Sequence, residues 1–273
     1  PVIPNNYFVE LSEANVAIKD MIVELEKKPI SIKTLNVRVD TARDLVLKLY
    51  TKTREMLKNA MFAKTVNDLA PSRESRILDV GCGSGLIAIM AAQRCPKATI
   101  TGIELDKDAS MQAQENVSAS PWNEHINIVH ADFLQYTPTE KFDTILSNPP
   151  YFTSSMKCPD DKRTKARHDD SLSSGDLLAH AHELLIDEGK LSVVIPTEQK
   201  DVWNNQAIIL GLNMTRLTYI HTRLSIAPKR VLLEFTKTNR NTLIETTTFV
   251  LEDEPGKYSE EAIKLLQPFY LKL

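Results

Sequence analysis

The stretch Leu78-Asp79-Val80-Gly81-Cys82-Gly83-Ser84-Gly85 decides the fold, because it joins a short apolar run to a helical one through three alternate glycines. The apolar residues 76–80 predict a strand, and the spacing over residues 84–95 predicts a helix. Glycine permits tight turns and lets the backbone pass close to a ligand, where a Cβ atom would clash. A strand, a glycine-rich turn and a helix in this order indicate a ligand-binding βα unit.

Downstream of this turn, short apolar runs alternate with helical stretches. Strands are predicted over residues 98–105, 126–130, 142–146 and 191–195, and helices over residues 107–119 and 175–187. This alternation predicts an α/β fold with a mostly parallel sheet that is covered on both faces.

The C-terminal part has a different order of elements. Residues 216–223, 231–237 and 246–251 predict strands with no helices between them, and therefore an antiparallel edge of the sheet. A last helix is predicted over residues 258–269. Ser259 suits its N-terminal end because a serine hydroxyl can accept a hydrogen bond from a free backbone N–H there.

The first seventy residues contain no glycine, whereas all eight glycines lie at or after Gly81. Apolar side chains recur in steps of four and three from Leu35 to Ala63, which is a heptad pattern, and Pro29 interrupts the helical pattern before it. Two antiparallel helices are predicted, over residues 5–28 and 33–69. The predicted domains are a helical hairpin at residues 1–70 and an α/β domain at residues 71–273; the hairpin could contact protein partners or a second copy.

Composition narrows the class of protein. Of the 273 residues, 42% are hydrophobic and 25% are charged, which excludes disorder throughout the chain. No apolar run approaches the roughly 20 residues that cross a bilayer, and the first residues lack the pattern of a secretory signal. The three cysteines form no CxxC pair, which favours a cytoplasmic location, and no metal site is predicted. Because the formal net charge is −3, nucleic-acid binding would depend on a local basic patch.

Acidic residues follow the glycine turn at the ends of successive predicted strands. Glu104 ends the second strand, about 20 residues on, where an acid would bind ribose hydroxyls. Asp132 follows the third strand and could accept a hydrogen bond from an adenine amino group. A glycine turn alone is shared with dinucleotide-binding enzymes, but the spacing here is GxGxG and Asp79 precedes it.

This ordered set resembles the class I S-adenosylmethionine-dependent methyltransferases. The resemblance implies that Asp79, Gly81 and Gly83 hold the methionine part of the cofactor, and Gly85 and Asn148 are predicted to be cofactor-binding residues as well. It implies further that Glu104 binds the ribose and Asp132 the adenine.

The stretch Asn148-Pro149-Pro150-Tyr151-Phe152 comes directly after the fourth predicted strand. Two adjacent prolines donate no main-chain hydrogen bond and hold an extended, rigid turn. Such a turn can aim the Asn148 side chain and the Pro149 carbonyl at a planar amine, beside the cofactor, while Tyr151 offers a face for stacking. In this position the stretch resembles the motif of methyltransferases that act on the amino nitrogen of adenine, guanine or glutamine, which leaves the substrate open.

Basic residues follow the catalytic turn and recur near the sheet's C-terminal strands, where they could bind phosphates. They are Lys157, Arg163, Lys165, Arg167 and Arg230. Two stretches, Arg163-Thr164-Lys165-Ala166-Arg167 and Ala227–Phe235, together with the Asn-Pro-Pro-Tyr turn, resemble the bacterial valine-tRNA adenine-N6 methyltransferase family over about residues 74–273. The resemblance implies that Asn148 to Tyr151 form the target-adenine pocket and that Arg163, Arg167 and Arg230 hold the RNA of the tRNA anticodon loop. Lys157 and Lys165 are assigned to the same RNA contact from their charge and position alone.

A second resemblance concerns residues 1–63, which lack the phenylalanine-rich start and the Gly-Thr-Asp-Gly-type turn of that methyltransferase family. The segments Pro4–Phe8, Leu25–Pro29 and Lys48–Thr53 resemble the spectrin-like repeats of the septation-ring-formation regulator family. This suggests a chimera of two unrelated sequences.

The leading hypothesis is methyl transfer from S-adenosylmethionine to the N6 amine of an adenine beside the anticodon of a valine tRNA. Two alternatives use the same catalytic turn: N5-glutamine methylation of a release factor and N2-guanine methylation of ribosomal RNA. A third alternative, from another class, is a non-enzymatic helical scaffold for cell division. The basic stretch favours RNA, because a protein substrate would not require it.

Overall fold

A computed structural model describes residues 63–66, 74–149, 172–240, 243–254 and 256–269. The predicted hairpin at residues 1–70 therefore lies outside the described residues, apart from a helical turn at residues 63–66. The described residues up to Val250 belong to one compact unit, and those from Leu251 on belong to a second.

The first unit contains one eight-stranded sheet among its described residues. Its strands are β1 (Arg76–Val80), β2 (Thr99–Glu104), β3 (Ile126–His130), β4 (Phe142–Ser147), β5 (Leu185–Pro196), β6 (Leu212–His221), β7 (Arg230–Lys237) and β8 (Glu245–Val250). Their order is β3-β2-β1-β4-β5-β7-β6-β8. Within this sheet β7 alone runs against the others.

Among the described residues of the first unit, four α-helices of nine or more residues accompany the sheet, namely α1 (Leu86–Arg94), α2 (Lys107–Ser118), α3 (Ser174–Leu184) and α4 (Lys200–Ile209). The Asp106 carboxylate caps α2 by accepting from the Ala109 N–H at 2.8 Å, and the Ser173 hydroxyl caps α3 by accepting from the Asp176 N–H at 3.1 Å. An apolar core cluster joins α3 and α4 to the strands through fully buried side chains such as Leu178 and Phe235. This packing holds the strand ends in fixed positions.

The second unit begins with a two-stranded hairpin, β9 (Glu252–Glu254) with β10 (Lys257–Tyr258), and continues into helix α5 (Glu260–Leu266). The Ser259 hydroxyl accepts from the Ala262 N–H at 3.0 Å, which confirms the predicted cap. None of the described helices combines the length and the apolar character needed to cross a membrane.

The predicted α/β class and the mostly parallel sheet are confirmed, and β3 has the predicted bounds. The predicted helix over residues 175–187 is too long, because Leu185 and Ile186 already belong to β5. The apolar pattern continues from the helix into the strand, so periodicity gave no sign of the boundary. The predicted helix at 84–95 starts two residues later, and the last helix ends at Leu266 in a 3-10 turn.

The predicted antiparallel C-terminal strands are confirmed for β7, which runs against β5 and β6, but the prediction is wrong for β8, which pairs parallel with β6. Since β6 lies between β7 and β8, the chain leaving β7 passes to the far side of β6 and does not form a hairpin. Helix α4 was not predicted: Trp203 and Ala207 face inward, but Val202, Ile208 and Ile209 are exposed, so the apolar pattern is not one-sided.

Candidate active site

The register of the sheet brings the two predicted motifs to the same edge. β1 and β4 are parallel neighbours, and Val80 pairs with Ser147. Neighbouring strands lie about 4.8 Å apart, so the chain leaves both strands side by side, at Gly81 and at Asn148. The Ser147 hydroxyl donates a hydrogen bond to the Val80 carbonyl at 3.0 Å and ties the two strand ends together.

The glycine turn has a backbone that only glycine adopts readily. Gly81 and Gly83 have φ angles of 69° and 55°, in the left-handed region. The Gly81 and Cys82 N–H groups donate to the Ile103 carbonyl at 2.9 and 3.0 Å, which fixes the turn against β2. A Cβ atom built on either glycine would meet no atom of the described residues within 4 Å. The turn therefore borders open space wide enough for a ligand to approach the backbone.

Two other glycines support the turn from behind. Gly85 is the N-cap of α1, and a Cβ atom there would lie 3.3 Å from the Ala113 Cβ, so this position packs against α2. Gly102 lies inside β2, where a Cβ atom would lie 2.7 Å from Ile128 Cδ1 and 3.0 Å from Cys82 Sγ. The sequence analysis did not assign Gly102, although a glycine inside a strand is a signal of close packing.

Asp79 is fully buried at the end of β1, and among the described residues neither of its carboxylate oxygens has a hydrogen-bond partner. Burial raises the pKa of Asp79 to about 7; the Ala88 N–H, which comes near the carboxylate without reaching hydrogen-bond geometry, opposes this shift, and the Glu104 charge adds to it. A buried acid without a partner is costly for the protein alone. Such a group is typical of a site that takes its partner from a bound molecule.

Glu104 connects the glycine turn to the end of β2. One carboxylate oxygen accepts from the Gly83 N–H at 2.8 Å, and the other accepts from the Asp106 N–H at 2.9 Å. Each oxygen still has lone pairs for another donor, because an ionised carboxylate can accept about four hydrogen bonds. The structure thus places Glu104 beside the turn, at the end of β2; that it binds a ribose stays a prediction.

Asp132 lies after β3 at the same edge and is the N-cap of a short 3-10 turn. Its oxygens accept from the Leu134 N–H at 2.9 Å and from the Gln135 side-chain amide at 3.1 Å.

Cys82, in the glycine turn, is buried, and burial together with the Asp79 and Glu104 charges raises the pKa of its thiol. The Cys82 thiol therefore stays protonated at neutral pH and packs as a small apolar group.

The sequence matches the family described as methyltransferase small domain over residues 59–204. Three relatives carry the same name, tRNA1(Val) (adenine(37)-N6)-methyltransferase. The one from Bacteroides thetaiotaomicron is 44% identical over 72% of this chain and 83% of its own length, and the one from Bacteroides fragilis is 43% identical over 73% and 84%. The one from Vibrio campbellii is 34% identical over 73% and 82%. This chain belongs to the tRNA1(Val) (adenine(37)-N6)-methyltransferase family.

Solved structures agree with this family at the level of the fold. A protein described as a predicted O-methyltransferase from Agrobacterium tumefaciens matches with a TM-score of 0.58 and 19% identity, over 77% of this chain and 96% of its own. A putative class I S-adenosylmethionine-dependent methyltransferase from Listeria monocytogenes matches with a TM-score of 0.51 and 16% identity, over 77% and 66%. These likenesses show the class I methyltransferase fold. None of the reported matches supports the resemblance of residues 1–63 to the septation-ring regulator family.

The catalytic turn predicted for this methyltransferase family is only partly within the described residues. Asn148 is half-buried and Pro149 is buried, directly after β4. Outside the described residues lie Pro150, Tyr151, Lys157, Arg163, Lys165 and Arg167. Arg230 is described: it starts β7 and pairs with Pro196 of β5 and with Ile220 of β6, at the same edge of the sheet as Asn148.

Proposed function

We propose that this chain transfers a methyl group from S-adenosylmethionine to the N6 amine of adenine 37, next to the anticodon, in a valine tRNA. The observation that carries the proposal is the register of β1 and β4, which brings the glycine turn and Asn148 out of neighbouring strands at one edge. Family membership gives the substrate class, since the relatives are named for adenine 37 of a valine tRNA. We place this activity in the cytoplasm, with the tRNA.

The residues at this edge fit the cofactor. Asp79 is a buried carboxylate without a described partner, and the cofactor carries cationic groups that could provide one. The open space beside Gly81 and Gly83 would let a ligand lie against the turn, while Glu104 and Asp132 provide acceptors for ribose and adenine donors. When bound, S-adenosylmethionine supplies an electrophilic methyl group on a sulfonium.

Asn148 would prepare the adenine amine for attack. That amine is a weak nucleophile, because its lone pair is delocalised into the ring. The Asn148 amide oxygen and the Pro149 carbonyl would accept hydrogen bonds from its two N–H groups and favour a pyramidal nitrogen. This catalysis is positioning together with electrostatic stabilisation, and a strong base is not required. Tyr151 would stack on the purine.

The target adenine has to leave its stack before it can reach such a pocket, which costs a few kcal/mol. Contacts with the RNA backbone would offset that cost. We assign these contacts to Lys157, Arg163, Lys165, Arg167 and Arg230. Methylation of glutamine in a release factor or of guanine in ribosomal RNA would use the same turn. The sequence identity with relatives that are named for a tRNA favours tRNA as the substrate. No observation favours a scaffold without activity.

The test is a methylation assay with labelled cofactor and a valine tRNA transcript, beside a transcript in which adenine 37 is guanine. The wild-type chain should label only the first. Asn148→Ala should lower kcat by at least about 100-fold, the usual effect of removing one group that stabilises a transition state. Cofactor affinity, measured by calorimetry, should stay within about three-fold.

Asn123→Ala is a matched control, because Asn123 is an exposed asparagine at the opposite edge of the sheet, before β3. It should behave as the wild type. Equal labelling of the two transcripts, or full activity of Asn148→Ala, would refute the proposed function.

The domain division at residues 70 and 71 is also a proposal. If residues 1–63 are a separate element, a chain without them should retain cofactor affinity and methyl transfer. A loss of cofactor affinity in that shortened chain would instead place these residues in the cofactor pocket.

A further inference from the structure

A long stretch between α4 and β7 has basic residues and no acidic ones. From residue 202 to residue 233 the chain contains Arg216, Arg223, Lys229 and Arg230 but neither Asp nor Glu. Arg216 is paired, since its guanidinium lies 3.1 Å from the Glu245 carboxylate. The other three lie in or directly after the connection between β6 and β7, residues 222–229, which we call the β6–β7 loop.

The β6–β7 loop lies at the edge of the sheet from which Asn148 emerges. Because β7 runs against its neighbours, its first residue, Arg230, lies where the parallel strands end. Val193 of β5 pairs with both Ser147 and Leu233, and Arg230 is three residues beyond Leu233. Strand geometry therefore places the start of β7 two strands, or about 10 Å, away from β4 across the sheet. Along the strand direction it lies about 10 Å past the level of Ser147.

Hydrogen bonds fix the shape of this loop. The Thr197 hydroxyl donates to the Pro228 carbonyl at 2.7 Å, and the Thr197 N–H donates to the Lys229 carbonyl at 3.2 Å. His221 Nδ1 lies 2.8 Å from the Ile226 carbonyl, and since a carbonyl only accepts, this nitrogen carries the proton. The loop is therefore ordered before any ligand arrives, which lowers the entropy that binding would cost.

The ordered loop exposes one apolar and one cationic side chain. Leu224 is 70% exposed, and Lys229 is exposed and forms no ion pair with any residue within the described ranges. Neither exposed side chain contributes to the packed core of the sheet. An exposed cation beside an exposed apolar group, in a loop that contains no acidic residue, is complementary to a nucleotide, which offers a phosphate and a base or ribose.

We propose that the β6–β7 loop is a second RNA-contact element, in which Lys229 binds a backbone phosphate and Leu224 packs against a nucleotide near the extruded adenine. The inference rests on the proposed function, because it takes the tRNA as the ligand. It adds a contact on the β7 side of the site. A phosphate is the ligand of Lys229 because binding it releases condensed counterions, which is favourable at low salt.

The experiment measures the binding of a valine tRNA transcript by fluorescence anisotropy at several salt concentrations between about 50 and 200 mM. Lys229→Ala should weaken binding roughly five-fold near 0.1 M salt and lower the slope of log K against log salt by about one. Lys229→Glu should weaken binding more. Leu224→Ala should raise KM for tRNA without changing that slope.

Lys97→Ala and Lys97→Glu are matched controls, because Lys97 is an exposed lysine at the opposite edge of the sheet, before β2. They should leave tRNA affinity and the salt slope unchanged, and every variant should keep the wild-type cofactor affinity. An unchanged slope in Lys229→Ala, or an equal loss in the Lys97 variants, would overturn the inference. Absence of wild-type methylation at adenine 37 would instead refute the proposed function, and the slopes would still decide whether the loop binds RNA.

Discussion

Asp79 and Glu234 are two acidic residues buried in the same sheet, and they differ in their surroundings. Asp79 pairs across the sheet with Leu146, which pairs with Ser192, which pairs with Glu234, so both acids lie in one row. Glu234 accepts from Lys190 Nζ at 2.9 Å and from the Thr215 hydroxyl at 3.1 Å. Arg216 lies 3.8 Å from its second oxygen. Asp79 has no such partner among the described residues.

The difference distinguishes a structural acid from one that serves a ligand. An ionised carboxylate in a protein interior is stabilised only by charges and hydrogen bonds around it. Glu234 has these within its own chain, so it contributes to the fold. The protein leaves Asp79 without them at the end of β1, beside the open space of the glycine turn, where a cationic ligand could supply them.

The largest expected effect is on stability, at Glu234. Glu234→Ala should lower the free energy of unfolding by about 3 kcal/mol, because it leaves Lys190 and Arg216 close together without their shared anion. Denaturant titration measures this change. Cofactor affinity of the folded variant should stay at the wild-type value.

Glu245→Ala is the control for this variant, since Glu245 contacts Arg216 but its side chain is 63% exposed. An exposed ion pair is worth well under about 1 kcal/mol, so this substitution should be nearly neutral. If the two variants destabilise the protein equally, Glu234 is not the buried structural acid described above.

Asp79→Asn should have the opposite effects from Glu234→Ala: a loss of cofactor affinity without a loss of stability. It should weaken S-adenosylmethionine binding by about 100-fold, since truncating one member of a buried charge pair costs about 2–5 kcal/mol of binding energy. Stability without ligand should be unchanged or higher, because a neutral amide costs less to bury than a carboxylate. Calorimetry and thermal unfolding measure the two quantities. A stability loss with unchanged affinity would reverse the roles of the two acids.

The pH dependence of stability gives a third comparison. Because the pKa of Asp79 is raised to about 7 in the folded chain, the folded state holds a proton that the unfolded state releases near pH 4. Stability is therefore lost as the pH rises between these values, by about 1.4 kcal/mol per pH unit for this one group.

Asp79→Asn removes this contribution, so the difference in unfolding free energy between wild type and Asp79→Asn isolates it. Wild type should lose about 1.4 kcal/mol relative to the variant between pH 5 and pH 6. A difference that does not change with pH would mean that Asp79 is already ionised at pH 5.

The sequence predicted the cofactor side of the sheet better than its far side. Strand–turn–helix order and the spacing of Asp79, Gly81 and Glu104 are local signals, and the structure places these residues together. The parallel pairing of β8 was not predictable in this way, because it depends on which side of β6 the chain reaches after β7.

Two other features were also beyond the reach of the sequence pattern. Helix α4 exposes Ile209 and Val202, so its apolar residues mark no single face. The partners of Glu234 come from β5 and β6, and Thr215 and Lys190 are 19 and 44 residues away from it along the chain. A sequence shows that an acid stands inside an apolar strand, but only the sheet order shows which cations reach it.

The smallest expected effect tests the hydrogen bond that supports Glu234. Thr215→Val removes the hydroxyl that donates to the Glu234 carboxylate and should cost about 1 kcal/mol of unfolding free energy. Thr246→Val, at an exposed position of β8, is the control and should cost nothing measurable. In a chain that already carries Glu234→Ala, Thr215→Val should cost clearly less, because the carboxylate acceptor is gone. If the full cost persists there, the hydroxyl acts through the Glu234 backbone carbonyl at 3.3 Å or the Thr236 hydroxyl at 3.1 Å, and the Glu234 carboxylate has one partner fewer than the comparison with Asp79 assumes.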